Sequence, residues 1–88
     1  MDKHKLEKAL VILMEEASEV TQAASKCFRF NEKKDYERLE EEIGDFMCLY
    51  EYLVDNGLID PAKVAMQVPK KKAKLKQWSN LYDEEENV

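Results

Sequence analysis

The chain has 88 residues and a formal net charge of −5, with 14 Lys and Arg residues against 19 Asp and Glu residues. This acidic balance disfavours duplex nucleic acid as a partner, because neutralising phosphates requires a basic surface. No apolar run approaches the roughly 20 residues of a membrane span, and the charged N-terminus lacks the apolar core of a signal peptide. A domain this small buries only about 60% of its unfolded surface, so we expect it to oligomerise.

Composition also bears on fold class and compartment. Two glycines and two prolines suit helices better than a turn-rich β-sandwich. Cys27 and Cys48 are too few for a disulfide framework and lack metal-site spacing. We expect both to be reduced and packed in helices, and the protein to be cytoplasmic.

The first predicted helix runs from Asp2 to Phe30, where apolar residues recur at helical spacing. Asn31–Lys34 interrupts this pattern and predicts a loop. The stripe consists of Leu6, Ala9, Leu10, Leu13, Ala17, Val20, Ala24, Cys27 and Phe28.

A second helix follows and ends at Asp55, with Asn56 or Gly57 suited to a left-handed cap. Asp60 and Pro61 then predict an N-cap followed by proline at the first helical position. The second stripe consists of Leu39, Ile43, Phe46, Leu49, Tyr50 and Leu53, and the third of Val64, Val68, Leu75, Trp78 and Tyr82.

Pro69 lies inside the third predicted helix and should kink it or divide it in two. The pattern therefore predicts an all-α fold of three to four helices, in a single domain over residues 1–82. The acidic end, residues 83–88, is predicted to be a flexible tail.

Carboxylates accompany the first two stripes. At about 100° per residue, Glu16 falls at the edge of the first stripe and Glu19 one turn further on. Glu42 falls in the middle of the second stripe, with Asp45 beside it. Each helix thus offers a pair of carboxylates aimed at or beside its inner face.

Buried carboxylates are costly unless they are paired, and four of them would repel one another. A hard divalent cation such as Mg²⁺ satisfies such a set, together with water and substrate phosphates. A charged helix rim at an oligomer interface is the alternative. A di-iron site is disfavoured because it uses Glu-x-x-His pairs, and the single histidine, His4, is far from both pairs.

Lysines and aromatic residues could complete a site for a phosphorylated ligand. Lys71 shares the direction of the third apolar stripe, with Lys74 on its rim, and an inward lysine requires an anionic partner. The alternative is that Lys71 extends to solvent along its alkyl stem. The aromatic residues that could stack on a base, although each also suits a helical core, are Phe28, Phe30, Tyr50, Tyr52 and Trp78.

These residues resemble a known family. The segment Leu13–Glu19 followed by Glu42–Asp45 is similar to the E-E-x-x-E … E-x-x-D signature of MazG-like nucleoside triphosphate pyrophosphohydrolases. Twenty-two residues separate Glu19 from Glu42, and the lysine run of residues 71–78 resembles the last helix of short, phage-type members. The resemblance covers residues 6 to 82.

The resemblance implies a helical bundle completed by oligomerisation, as a homodimer or homotetramer. It also implies Mg²⁺-dependent hydrolysis of a (deoxy)nucleoside triphosphate to monophosphate and pyrophosphate, with Mn²⁺ as a substitute ion. Glu19 or Glu15 would accept a proton from the attacking water, and Lys71 and Lys74 would contact the phosphates. The residues that would hold the metal are Glu16, Glu19, Glu42 and Asp45.

Two other functions remain open at this point: a non-catalytic helical interaction module, and a related dUTPase-like phosphohydrolase. Base and sugar preference, the number of metal ions and the choice between cleaning and adjusting a nucleotide pool are not encoded in the pattern. If the chain is phage-encoded, the compartment is the host cytoplasm.

Overall fold

A computed structural model describes residues 1–83, which form three α-helices and no strand. Helix α1 spans Lys3–Phe30, α2 spans Lys33–Asp55 and α3 spans Pro61–Trp78. The all-α prediction is therefore confirmed. The predicted tail lies outside the described residues except for Asp83.

Helix α1 begins and ends where its sequence predicts. The Asp2 side chain accepts a hydrogen bond of 2.8 Å from the backbone N–H of His4, which satisfies one free donor of the first turn. At the other end Asn31 adopts a left-handed conformation (φ 51°), and its N–H donates to the carbonyl of Cys27. Asparagine tolerates this conformation better than most residues, so the helix stops at Phe30.

The connection to α2 is only Asn31–Glu32, shorter than the predicted loop of residues 31–34. Glu32 and Asp35 form a reciprocal capping box, in which the Glu32 N–H donates to Asp35 Oδ2 at 3.0 Å. This cap starts α2 at Lys33. After α2, Gly57 takes the left-handed conformation (φ 70°) and Asn56 does not (φ −95°).

Helices α1 and α2 pack along each other as a helical hairpin, and the buried face of α2 follows a strict three-and-four spacing. This spacing puts side chains on one stripe. Its buried or half-buried members are Asp35, Leu39, Glu42, Phe46, Leu49 and Leu53.

The packed stripe of α1 agrees with the predicted one in part. The predicted members that are buried or half-buried are Leu6, Ala9, Leu13, Val20 and Cys27. Ala9, Ala23 and Cys27 are buried, and Glu16 and Glu19 are half-buried. The correction concerns four predicted members that are exposed, namely Leu10, Ala17, Ala24 and Phe28. Phe28 is 90% exposed. The face of α1 that packs on α2 therefore includes the edge of the predicted stripe that carries Glu16 and Glu19.

The chain divides into two compact units, the first ending at Leu58 and the second beginning at Ile59. In the second unit, Asp60 Oδ1 accepts from the Ala62 N–H at 2.9 Å and Pro61 opens α3, as predicted. Pro69 lies inside one continuous helix, so the predicted division at this proline does not occur. The single domain over residues 1–82 stays a prediction.

Two further findings concern membrane-spanning helices and the cysteines. Within residues 1–83, no helix is long and apolar enough to cross a membrane. Both cysteines are free; Cys27 is buried as expected, whereas Cys48 is exposed, which corrects its predicted packing.

Candidate metal centre

Three carboxylates from the two hairpin helices converge. Glu16 of α1 and Glu42 and Asp45 of α2 each offer an oxygen atom, and these atoms all lie within 4.8 Å of one another. Glu42 is only 4% exposed because it occupies the packed stripe of α2. Asp45 follows it by one turn on the flank, and is exposed.

These carboxylates line an open cleft of about 340 Å³. Glu15 and Glu19 line the same cleft, so the hairpin brings together all five acidic residues proposed from the sequence. Glu19 is half-buried and lies outside the tight group of three. Glu15 is exposed, so its carboxylate remains accessible to water.

The acidic residues act on one another electrostatically. Partial burial, followed by the charges of Asp45, Glu42, Glu19 and Glu15, raises the pKa of Glu16 above its ordinary value. Both causes disfavour the ionised form. A cation bound in the cleft would remove much of this penalty.

Arg38 was not identified from the sequence, and it is the one cation among the residues that line this cleft within the described range. Its Nη2 donates to Glu42 Oε1 at 2.8 Å, and its Nη1 lies 3.6 Å from Glu41 Oε2. The available signal was the i, i+4 spacing of Arg38 and Glu42 on one helix. The pair supplies Glu42 with a counter-charge inside the protein.

The donor set fits a hard divalent cation. All the converging atoms are carboxylate oxygens, the ligands that Mg²⁺, Mn²⁺ and Ca²⁺ prefer. At Mg–O distances of about 2.1 Å, neighbouring oxygens around one Mg²⁺ lie about 3 Å apart and opposite ones about 4 Å. The three oxygens, which lie within 4.8 Å of one another, would move closer together to share one ion. No sulfur or imidazole donor lines the cleft within residues 1–83.

Two further clefts continue from the acidic one along the hairpin. Ile12 precedes Glu16 by one turn and Leu49 follows Asp45 by one turn; both line an apolar pocket of about 340 Å³. Its remaining lining residues are Lys5, Lys8, Ala9 and Tyr52. Toward the interhelical turn, Arg38 also lines a cleft of about 430 Å³ with Lys26, Phe30, Glu32, Lys34 and Asp35.

Lys71 and Lys74, predicted to bind phosphate, lie on α3 in the second unit, and both are exposed. The Nζ of Lys71 lies 5.4 Å from the centroid of the Trp78 ring, so the two side chains share the helix face that the sequence predicted. Cation–π contacts of this kind are weak at exposed sites. Their role in phosphate binding stays a prediction.

Comparison with known proteins gives no match to a family model, a curated protein or a solved structure. The resemblance to MazG-like enzymes therefore depends on the acidic motifs and their spacing.

Proposed function

We propose that this chain is a MazG-like, Mg²⁺-dependent pyrophosphohydrolase that converts (deoxy)nucleoside triphosphates to monophosphate and pyrophosphate. Its role would be to clean or adjust a nucleotide pool. The observation that carries the proposal is the convergence of Glu16, Glu42 and Asp45 oxygens within 4.8 Å across two helices. Arg38 pairs with one of the three carboxylates, Glu42, so the group keeps an excess of negative charge that a divalent cation would balance.

In this proposal, the cleft residues have two roles, metal binding and proton transfer. Glu16, Glu42 and Asp45 hold the ion, and Glu19 completes the set from the same cleft. When bound, Mg²⁺ supplies charge neutralisation of the phosphates and acidifies a coordinated water. Glu15 or Glu19 would accept that water's proton; both line the cleft outside the tight group, and Glu15 is the one that is not also assigned to the metal.

The neighbouring apolar pocket supports a nucleotide as the substrate. Tyr52 is partly exposed in it, beside Ile12 and Leu49. A tyrosine ring and aliphatic side chains suit the face of a nucleobase. Of the aromatic residues proposed from the sequence for base stacking, Tyr52 alone lines this pocket in the described structure.

Self-association is also part of the proposal, as a homodimer or homotetramer. Large apolar side chains are exposed on the hairpin, including Met14 (63%), Phe28 (90%) and Met47 (44%). Self-association would cover such side chains where they form a contiguous surface. A chain this small gains stability by covering it.

The decisive experiment is the release of pyrophosphate from a panel of canonical and modified NTPs and dNTPs, in Mg²⁺ and in EDTA. Mg²⁺-dependent release with a monophosphate product is the expected result. Release confined to dUTP would select the dUTPase-like alternative. Release from no nucleotide would overturn the proposal and favour the interaction module.

A matched pair of variants assigns the activity to the cleft. Glu42→Gln should lower turnover by more than about 100-fold, because even groups outside the ligand shell cost 10–100-fold when replaced. Glu40→Gln makes the same change of charge at an exposed position of the same helix and should retain activity. Full activity of Glu42→Gln at saturating Mg²⁺ would contradict the assignment of the activity to this cleft.

A further inference from the structure

Arg38 lines two clefts, one acidic and one with three cations and two carboxylates. It lines the acidic cleft together with Glu16, Glu42 and Asp45, and it also lines the cleft toward the interhelical turn. Its side chain is 56% exposed, whereas that of Glu42 is 5% exposed. The carboxylate is thus held in place, and the guanidinium is free to change partners.

The second cleft carries cations whose acidic neighbours are already engaged. Asp35 accepts the Glu32 N–H within the capping box, and the Glu32 side chain accepts a backbone N–H in return. The Nζ of Lys34 lies 3.4 Å from Oε2 of Glu32. Lys26, by contrast, forms no ion pair with any of residues 1–83. Lys26 is therefore available to a ligand, and Arg38 becomes available when it leaves Glu42 Oε1 at 2.8 Å and Glu41 Oε2 at 3.6 Å.

We propose that Arg38 and Lys26 form the binding site for the terminal phosphates of the substrate, and that Arg38 is held by Glu42 until a metal ion takes its place. The inference rests on the proposed function and deepens it. A divalent cation held by Glu16, Glu42 and Asp45 would repel the guanidinium and compete for the Glu42 carboxylate. The planar guanidinium then pairs with phosphate oxygens, the geometry it matches best.

This assignment fixes the direction of the substrate along the hairpin. The terminal phosphates lie toward the interhelical turn, where Lys26 and Phe30 line the cleft. The base lies toward the apolar pocket with Tyr52, on the opposite side of the carboxylates. The α-phosphate then falls at the carboxylates between the two.

Calorimetric titration of the full chain with two simple probes tests the proposal. The first probe is Mn²⁺ alone, and the second is inorganic pyrophosphate in saturating Mn²⁺. Arg38→Met should bind Mn²⁺ several-fold more tightly, because the competing internal cation is gone. It should bind pyrophosphate about 10-fold or more weakly, because a charge-assisted contact is lost.

Three further variants distinguish a specific role of Arg38 from a general loss of positive charge or of folding. Lys26→Met should weaken pyrophosphate binding and leave Mn²⁺ affinity unchanged. Arg38→Lys keeps the charge without the planar fork, so its Mn²⁺ affinity should stay near that of the wild type while pyrophosphate binding falls. Arg29→Met, which removes a cation that lines neither cleft, should change neither affinity.

Unchanged pyrophosphate binding by Arg38→Met, or unchanged Mn²⁺ affinity, would overturn the inference. These outcomes are distinct from failure of the proposed function. A chain that hydrolyses nucleotides while Arg38→Met titrates like the wild type would retain the function and lose the Arg38 assignment. If the chain hydrolyses no nucleotide, the proposed function is rejected. The two titrations would still test whether a metal ion replaces Arg38 at Glu42.

Discussion

Arg38 Nη2 lies 2.8 Å from Glu42 Oε1, and this ion pair joins a half-exposed cation to a buried carboxylate at the centre of an acidic cleft. The distance is that of a charge-assisted hydrogen bond. Glu42 shares the cleft with Glu16 and Asp45, so a single guanidinium leaves the group with an excess of negative charge. Glu42 thus has a counter-charge within the protein, and the remaining carboxylate charge favours a bound cation.

Metal binding should stabilise the fold. At a Mg²⁺ concentration of 100 times the dissociation constant, linkage predicts about 2.7 kcal/mol of added stability. In a domain of this size this corresponds to a rise of about 10 °C or more in the melting temperature. Differential scanning fluorimetry with and without Mg²⁺, at constant ionic strength, measures the shift.

The matched variants for this measurement are Glu42→Gln and Glu40→Gln. The first should lose the Mg²⁺-dependent shift and the second should keep it, because Glu40 is exposed and does not line the cleft. An equal shift in both variants would place the ion elsewhere.

Glu16 should make the stability of the metal-free protein depend on pH. Its pKa is raised in the folded state by partial burial and by neighbouring carboxylates, so the folded protein holds this proton more tightly than the unfolded chain. The wild type therefore loses stability as the pH rises from the ordinary range of a glutamate through the raised pKa. The glutamine side chain of Glu16→Gln does not ionise, so this variant should not lose stability in this way.

In EDTA, the stability advantage of Glu16→Gln over the wild type should grow with pH and level off above the raised pKa. Urea unfolding at several pH values measures it. In saturating Mg²⁺ the order should reverse, because the amide is a poorer ligand. An advantage of Glu16→Gln that is the same at every pH would contradict the electrostatic account.

Tyr52 should contribute to nucleotide binding and leave pyrophosphate binding unaffected. Base stacking on an aromatic residue contributes about 1–3 kcal/mol by alanine substitution, so Tyr52→Ala should raise the KM for a triphosphate by about 10-fold or more. Tyr52→Phe keeps the ring and should resemble the wild type. A KM unchanged by Tyr52→Ala would remove the base from the apolar pocket.

Phe28 should contribute to self-association. It is 90% exposed in the single chain, so Phe28→Glu removes few intramolecular contacts. Sedimentation velocity should show a species larger than the monomer for the wild type and for Phe28→Leu. Phe28→Glu should shift the distribution toward the monomer at equal concentration, and an unchanged distribution would exclude this surface.

Local signals determined most of the secondary structure. Asp2 and Asp60 cap helices because their side chains accept backbone N–H groups close in sequence, and Gly57 ends a segment because it adopts a positive φ without strain. The position of Glu42 in the second stripe was also predictable, since that stripe has a single strong helical period. These features depend on residues within a few positions of one another.

Packing decided what the sequence left ambiguous. Helix α1 carries a broad apolar stripe, and periodicity alone placed Ala9 and Cys27 in it together with Leu10 and Phe28. In the structure the part with Ala9 and Cys27 is buried, together with Ala23, whereas Leu10 and Phe28 are exposed. With this packing, one carboxylate oxygen of Glu16 lies within 4.8 Å of oxygens of Glu42 and Asp45. The sequence by itself determined which residues could ligate a metal ion, and the tertiary structure decided which of them meet, because convergence depends on the face through which two helices pack.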